Sequence, residues 1–431
     1  MDNPQPRRSS LRATVLALAV LLVVLLGASL LLKLVGQSRL RRTTAELQSR
    51  TGVTTLNAFE KPKLSDDQNA ARWLQAGGAA LNWSQETKRV IGDASNSDPR
   101  GWSAEQVAAV RAVLADSRAA LDLLRRGSTL EQASFAIPYG KGAEADLPNL
   151  LQLISAGRLL MADARVAFAD DDPARGIEAL RTLGRLAVAL EDEPLLITEL
   201  IGIACERMLL TVAAEAVASP APWASDPALL DELDALVPST DLAAGLRRAF
   251  AFEALSFTQS RGELLAENGS TPAVERLFAR TYWGLTCAEA NHLVLGWCDM
   301  VDVPYTTAPE RFKPGDLPPF FALHRRAAHG FTPNLGSAIV RIQVVRSLRQ
   351  LVHAAIELRV AAAAAGAYPA EPAAVTALTS PSPLTGQPVT YRLEPDGRAV
   401  LDLPGVAQQV TDAGMVLGRL VLTVELPPPQ G

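Results

Sequence analysis

The longest apolar run in the chain lies near its start, where 20 consecutive residues without a charge separate Arg12 from Lys33. At a helical rise of about 1.5 Å per residue, this run covers about 30 Å, the thickness of the hydrocarbon core of a bilayer. A cleaved signal peptide would share the basic start at Arg7 and Arg8, but its apolar run is only about 7–15 residues long. The pattern therefore favours a retained transmembrane helix.

The charges beside this helix leave its orientation open. The basic residues near the apolar run are Arg7, Arg8 and Arg12 before it, and Lys33, Arg39, Arg41, Arg42 and Arg50 after it. Counted alone, they slightly favour a large domain inside the cell. A short basic tail, one helix and a long domain are nevertheless the usual layout of an exported, signal-anchored protein, and long domains translocate largely regardless of charge. We expect an extracytoplasmic domain.

Helical periodicity dominates from residue 38 to residue 300. Apolar residues recur three and four positions apart, and helix starts are marked by patterns such as the capping box Ser103-Ala104-Glu105-Gln106 and by Asp172-Pro173. Amphipathic helices joined by short turns pack antiparallel to bury their apolar faces. No fixed tetratricopeptide-like period is present. The body is therefore predicted to be an antiparallel α-helical bundle or an irregular, helical-repeat-like array.

The pattern changes twice after residue 300. Residues 301–334 include the proline-dense run VDVPYTTAPERFKPGDLPPFF, which no helix or long strand tolerates. One long helix is then predicted from Leu335 to Ala365, with Gly366 as its stop. Beyond it, two alternating segments flank the turn Glu394-Pro395-Asp396-Gly397, and Gly418 to Leu426 can supply a third strand.

Together these patterns predict a mainly α protein in four parts. Residues 1–37 form a basic tail and transmembrane anchor, and residues 38–300 form an α-helical domain. Residues 301–334 form a Pro-rich loop or linker, and residues 335–431 form a long helix followed by a small antiparallel β-hairpin module. The part outside the membrane is long enough for two or three domains with cores of their own.

Composition narrows the range of partners. The chain carries a net charge of −5, and aromatic residues make up 5% of it. General nucleic-acid binding needs a basic face, and binding to single strands needs aromatic platforms, so no nucleic-acid partner is expected. The arginines at 39–42 are better explained by contact with anionic lipid head groups next to the membrane.

Three cysteines cannot all pair within one chain. Cys205 lies in the apolar helical pattern IGIACERMLL and is most simply a buried small hydrophobic residue. Cys287 and Cys298 could form a disulfide in an oxidising compartment. On one straight helix they would be about 16 Å apart, too far for a bridge. A bridge therefore requires a break in the helix, for example at Gly296, and two free thiols are the alternative.

Histidines and cysteines form no recognisable metal site. The chain has four histidines, and His324 and His329 are about 140° apart around a helix, so they do not face one ion together. A set of Cys287, His292, Cys298 and Asp299 fits no zinc spacing. His353 lies beside Val352 in the predicted long helix, where a packing or solvated role is favoured over that of a base. We predict no metal or cofactor.

Acidic runs and catalytic motifs give no site either. The runs Asp170-Asp171-Asp172 and Glu191-Asp192-Glu193 each precede a proline that opens a helix, so capping of the helix dipole is favoured over cation binding. The chain contains no G-x-S-x-G elbow, no phosphate-binding glycine loop and no H-E-x-x-H. No catalytic residue is assigned, although a pocket built from distant residues is invisible to single-sequence reasoning.

Some segments resemble a known family. Asp67-Gln68-Asn69-Ala70-Ala71 and Leu186 to Leu200 (LAVALEDEPLLITEL) resemble segments of an uncharacterised family of bacterial single-pass membrane proteins. Gly366-Ala367-Tyr368-Pro369 and the stretch from Ser382 to Tyr391 resemble the C-terminal end of that family. This likeness covers most of the chain, rests on caps and turns, and implies no known activity.

The same C-terminal stretch is locally similar to the helix-to-sheet passage of type II secretion pseudopilins. Those proteins carry a glycine before the apolar segment, where a dedicated peptidase cuts, and a glutamate within its first turn. Neither residue is present between Arg7 and Ala17. A pilus subunit is therefore not expected, whereas a shared C-terminal building block is.

Two functions remain as expectations. We favour a membrane-anchored helical scaffold or binding protein of unknown ligand, held in the bacterial inner membrane by the lipid bilayer and facing an envelope or secretion protein. The alternative is a membrane-tethered, hydrolase-like enzyme with a site between the helical domain and the 301–334 loop. That enzyme would need a deep pocket in which at least two of five side chains converge with shifted pKa values. The five are His292, His324, His329, Asp299 and Glu310.

Overall fold

A computed structural model describes residues 7–259, 273–312, 324–325, 328–329, 335–371, 373, 375–403 and 423–429 of the 431-residue chain. Among these residues are thirteen α-helices and one three-stranded antiparallel sheet close to the C-terminus. The predicted mainly α fold, with a long apolar helix first and a small β module last, is confirmed.

The elements follow the chain in order. The helices are α1 (Arg7–Thr51), α2 (Ala70–Ala79), α3 (Gln85–Asn96), α4 (Ala104–Asp116), α5 (Arg118–Ser128), α6 (Leu151–Ala169), α7 (Pro173–Glu191), α8 (Leu196–Val217), α9 (Pro227–Leu236), α10 (Leu242–Gln259), α11 (Ala273–Met300), α12 (Leu335–Ala365) and α13 (Thr376–Thr379). The strands are β1 (Thr390–Leu393), β2 (Ala399–Asp402) and β3 (Thr423–Leu426).

The first helix continues from the apolar run into the body. By length and composition it could cross a membrane, because an 18-residue window has a mean hydropathy of 3.1 and none of it is buried. Further along, α1 packs against α11. Gly36 lies against Gly284, Asn291 donates a hydrogen bond to Thr44 at 3.3 Å, and Arg50 pairs with Asp299. Residue numbers increase in the same direction along both helices at these contacts, so the two helices are parallel.

The core of the body is built around α8. Helices α6 and α7 pack against it and against each other, and α12 also packs against it. The chain reverses between α6 and α7 and again between α7 and α8 in short turns, which makes neighbours antiparallel as predicted. Asp172 accepts a hydrogen bond from the backbone N–H of Arg175 at 3.2 Å and caps α7, and Ser103 and Gln106 form the predicted capping box of α4.

The C-terminal module follows the predicted order. Gly366, with a φ of 72°, comes directly after α12, because a residue without Cβ adopts the left-handed conformation at little cost. Strands β1 and β2 pair antiparallel across the turn that contains Gly397, whose φ is 83°. The third strand, β3, pairs with β2. The earlier part of the predicted third strand, residues 418–422, lies outside the described residues.

Residues 301–312 of the Pro-rich segment contain two short 3₁₀-helices, Tyr305–Thr307 and Pro309–Phe312, and bond to α12 and to the C-terminal module. The backbone N–H of Tyr305 donates to Gln343 Oε1 at 2.9 Å, and Gln343 Nε2 donates to the carbonyl oxygen of Val303 at 2.6 Å. The backbone N–H of Thr306 donates to the carbonyl of Leu384 at 3.3 Å. This stretch therefore connects the helical body to the module by specific bonds.

Candidate functional site

Three glutamates lie together inside the body. Glu191 is the last residue of α7, and Glu199 and Glu206 lie seven positions apart on one face of α8. Their exposed fractions are 4%, 0% and 0%. Ionisable side chains are rarely buried so completely unless they are paired. We call these three residues the glutamate cluster.

An arginine and a threonine connect two members of the cluster. Arg349 on α12 binds both carboxylate oxygens of Glu206, with Nη2 at 2.7 Å from Oε2. The same guanidinium donates to the hydroxyl of Thr240 at 2.9 Å and to its carbonyl oxygen at 2.6 Å. Thr240 in turn donates its hydroxyl proton to Glu191 Oε2 at 2.9 Å. Helices α7, α8 and α12 and the turn between α9 and α10 therefore meet in one hydrogen-bonded network.

Two glycines make room for the other carboxyl groups. A Cβ atom on Gly245 of α10 would lie 2.8 Å from Oε1 of Glu199, and one on Gly202 of α8 would lie 2.8 Å from Cγ of Glu191. Real Cβ atoms do not come that close to another heavy atom. The glutamate side chains therefore occupy space that any larger residue at these positions would fill.

The charges of the network do not balance unless one carboxyl is protonated. Three carboxylates face two guanidiniums, those of Arg349 and Arg248, which leaves one excess negative charge. Both oxygens of Glu199, and Oε1 of Glu191, have no hydrogen-bond partner in the part of the chain that the structure describes. Burial raises the pKa of Glu199 to about 8, and burial together with Glu206 raises that of Glu191 well above its ordinary value. The network therefore holds a proton at neutral pH.

This arrangement can store or donate a proton close to the molecular surface. Arg248 is exposed and Arg349 is half-buried, so the guanidiniums lie between the glutamates and solvent. Asp302, at the start of the Pro-rich segment, accepts hydrogen bonds from Arg247 and from Arg346 next to this point. A carboxyl whose pKa is raised by burial can serve as a general acid near neutral pH.

A cleft of about 160 Å³ lies between α6 and α8, at a distance along α8 from the cluster. Arg165 and Glu215 form a bidentate pair in its wall, with distances of 2.8 and 2.7 Å. Phe168 stacks on Trp223 with 5.2 Å between ring centroids. Because its charges are paired internally, the cleft presents mainly apolar surface and aromatic faces. None of the described residues of the 301–334 segment lines it.

The five side chains of the expected enzyme pocket are not brought together. His292, Asp299 and Glu310 are exposed. His324 and His329 are half-buried, and the pKa of His324 is lowered, chiefly by burial. Asp299 pairs with Arg50 of α1, and no hydrogen bond joins any two of the five within the described parts of the chain. Nor do the described residues contain a group of three or more histidine, cysteine or acidic side chains that could hold a metal ion.

All three cysteines are buried, and none of them forms a disulfide within the described residues. Cys287 and Cys298 both lie within α11, which continues without a break through Gly296. This is the straight-helix arrangement in which the sequence places them too far apart for a disulfide. Cys205 is fully buried in α8, as predicted, and burial raises the pKa of its thiol to about 12.

The capping interpretation of Glu191-Asp192-Glu193 is wrong. Glu191 ends α7 and turns into the glutamate cluster, while Glu193 is 1% exposed and accepts hydrogen bonds from the hydroxyl of Tyr139 and, at 3.1 Å, from Lys61. The α8 N-cap is Leu195, which has no side-chain cap bond. The sequence did contain a signal for buried glutamates. Glu199 and Glu206 are seven positions apart within an apolar helix, so both lie on a face that points into the core.

His353 makes a surface contact. Its Nδ1 lies 2.6 Å from Oδ1 of Asp234 on α9, and both side chains are more than a third exposed. The contact ties α12 to α9, which agrees with the solvated role predicted for this histidine.

Comparison of the chain with models of protein families, with curated proteins and with solved structures gives no significant match. The resemblance of the chain to a family of single-pass membrane proteins, and of its C-terminal stretch to pseudopilins, therefore stays a prediction.

Proposed function

We propose that this protein is a membrane-anchored helical scaffold or binding protein of the bacterial cell envelope. Its apolar helix is retained in the inner membrane, and its body lies on the extracytoplasmic side. The observation that carries this proposal is the continuity of α1, which leaves an apolar run with none of its surface buried and then packs on α11 without a break.

The contacts between α1 and α11 favour a fixed position of the body above the bilayer. Gly36, Thr43 and Arg50 are seven residues apart in sequence, and each contacts α11. A seven-residue repeat keeps one face of a helix against its partner. A scaffold benefits from this arrangement because a partner then meets the body at a defined height, whereas a flexible stalk would leave that height variable.

The cleft between α6 and α8 supplies a candidate binding surface. Its stacked Phe168 and Trp223 offer flat apolar faces, and the paired Arg165 and Glu215 form part of its wall. Aromatic and arginine side chains are enriched where proteins bind each other. The predicted likeness of residues 382–391 to pseudopilins favours an envelope or secretion protein as the partner.

Membrane attachment and orientation are tested together. We expect the full-length chain to stay in the membrane fraction after alkaline carbonate extraction. A C-terminal alkaline phosphatase fusion should be active, and a C-terminal green fluorescent protein fusion exported by the general secretory route should be dark. A soluble mature protein that lacks its first thirty or so residues would contradict the anchor, and the opposite reporter pattern would contradict the orientation.

Partner binding is tested with a photo-reactive amino acid in living cells. We expect benzoylphenylalanine in place of Trp223 to yield a discrete cross-linked envelope protein. The matched control is Trp73, which is also half-buried but lies beneath Arg126 at another place on the body. Cross-links of equal yield at both positions, or none at Trp223, would contradict the cleft as the binding surface.

One observation favours the second candidate, a membrane-tethered hydrolase-like enzyme. The glutamate cluster holds a proton and lies near Asp302, where the 301–334 segment begins. If this candidate is right, membranes containing the protein hydrolyse a member of an ester, glycoside and phosphoester panel, and Glu199→Gln abolishes that activity. Equal activity in the wild type and in Glu199→Gln would remove the cluster as its site.

A further inference from the structure

A second unusual group lies on α8 about 100° around the helix from Glu206 of the glutamate cluster. Arg207 follows Glu206 in sequence, and its side chain is half-buried between neighbouring helices. Its Nη1 atom is buried and has no hydrogen-bond partner in the described residues. A guanidinium nitrogen without a partner is costly to bury, since it has lost water and gained nothing in exchange.

The charged groups that act on Arg207 are themselves arginines. Arg341 of α12 and Arg158 of α6 repel its charge from two of the helices that pack against α8. Burial and these two like charges lower the pKa of Arg207 to about 10. None of the three forms an ion pair with a carboxylate among the residues that the structure describes. We call Arg158, Arg207 and Arg341 the arginine triad.

Other buried arginines of this chain do have partners. Arg165 binds Glu215 with two hydrogen bonds, and Arg349 binds Glu206 in the same way. Arg359 donates to the carbonyl oxygen of Ser219 at 2.8 Å. Each of these three guanidiniums therefore has at least one acceptor, although Nε of Arg359 is also buried without a partner. No acceptor for Arg207 Nη1 is found among the described residues, and a bound anion would offset the repulsion between the three like charges.

We propose that Arg158, Arg207 and Arg341 form a binding site for a phosphate group. Guanidinium groups bind phosphate through paired N–H donors, and a phosphate offers enough oxygens to serve three of them, whereas a carboxylate has two. Arg207 Nη1 supplies the buried donor, and the exposed Arg158 leaves the site open to solvent. The site depends neither on the membrane anchor nor on the cleft.

The first arm of the test uses inorganic phosphate and the full-length protein in detergent that contains no phospholipid. We expect the thermal midpoint of unfolding to rise with phosphate at tens of millimolar, compared with sodium chloride at equal ionic strength, because a ligand of the native state stabilises it. Titration calorimetry should show binding that Arg158→Gln or Arg341→Gln weakens by about tenfold or more, as expected when one charged hydrogen bond is lost.

Arg118→Gln is the matched control. Arg118 is exposed, like Arg158, and begins α5 away from the triad, so this variant should bind phosphate like the wild type. Without phosphate, Arg207→Gln should unfold at the same temperature as the wild type or higher, since it removes a partnerless buried charge. An Arg207→Gln protein that is as stable as the wild type but binds less phosphate has lost the ligand site and not its fold.

The second arm distinguishes the two sources of a phosphate group. Nanodiscs containing phosphatidylglycerol or phosphatidylcholine replace the detergent, and free phosphate is titrated again. Competition by phosphatidylglycerol assigns a lipid head group as the ligand, and undiminished binding assigns a soluble phosphate. The proposal is overturned if phosphate has no effect on the wild type, or if its effect is equal in Arg158→Gln and Arg341→Gln. It is also overturned if these variants lose stability without phosphate, since an acidic group of the chain itself would then be the partner.

Discussion

Gly36 of α1 and Gly284 of α11 lie against each other, and neither position has room for a side chain. A Cβ atom on Gly36 would lie 3.0 Å from the backbone nitrogen of Leu285, and one on Gly284 would lie 3.1 Å from the carbonyl carbon of Gly36. Residues without a side chain let two helix backbones approach closely. The helix that carries the apolar run therefore contacts the body at two glycines, where the backbones of α1 and α11 touch directly.

Enlarging Gly36 should weaken this junction. We expect Gly36→Val to lower the free energy of unfolding of the body by about 1–3 kcal/mol, the usual cost of forcing extra methyl groups into a closed contact. Urea unfolding of the full-length protein in detergent, followed by circular dichroism, measures the change. Limited proteolysis should also cut the chain after α1 faster in this variant.

Gly27 provides the control on the same helix. It lies in the apolar run, and a Cβ atom there would meet nothing within 4 Å. Gly27→Val should therefore leave the stability of the body unchanged. If Gly27→Val and Gly36→Val behave alike, α1 and α11 are not in contact in solution.

The buried glutamate cluster makes stability depend on pH in a predictable direction. The pKa of Glu199 is about 8 in the folded protein, compared with an ordinary value of 4.5. Its protonated form therefore gives its full stabilisation below pH 4.5, and this is lost as the pH rises through 8. Between these values, each pH unit removes about 1.4 kcal/mol. Glutamine keeps the neutral shape at every pH, so Glu199→Gln should be more stable than the wild type above pH 8 and similar to it below 4.5.

Urea unfolding across this pH range measures the effect of Glu199→Gln. Glu131→Gln, at an exposed position outside the helices, is the control and should follow the wild type at each pH. A loss of stability that is equal at every pH would mean that Arg248 holds Glu199 ionised, and the proton would then have to be assigned elsewhere in the cluster.

Gln343 should determine whether the segment after α11 stays attached to α12. Gln343→Leu fills a similar volume but leaves the N–H of Tyr305 and the carbonyl of Val303 without their partner. An unpaired buried polar group costs about 1–3 kcal/mol, so we expect a loss of stability of that order and faster proteolysis near residue 305. Gln132→Leu, at an exposed position, should change neither; a Gln343→Leu protein as resistant as the wild type would show that the bonds to Gln343 are not needed.

Local signals in the sequence predicted the elements well. The long helix from Leu335 to Ala365 and its stop at Gly366 were read from apolar spacing and from the conformational freedom of glycine, and both are confirmed. Such features depend on interactions between residues a few positions apart. Apolar periodicity and capping residues therefore predict these helices and turns independently of the rest of the fold.

The candidate site could not be predicted in the same way. Glu191 was interpreted as part of a capping run because it lies two positions before Glu193 and close to a proline. Its true neighbours are Thr240, which is 49 positions away, and Glu206. Whether a carboxylate caps a helix or enters the core depends on which helices lie on either side of it, and the spacing of residues in one segment does not contain that information.

By itself, the sequence determined the apolar helix, the succession of amphipathic helices and the hairpin, because hydrophobic burial and backbone geometry act over short stretches of chain. Only the tertiary structure decided that α1 runs along α11, that Glu199 is buried beside Glu206, and that Arg207 lies near two other arginines. Charge and burial depend on everything within a few ångströms, and those neighbours come together only when the helices pack.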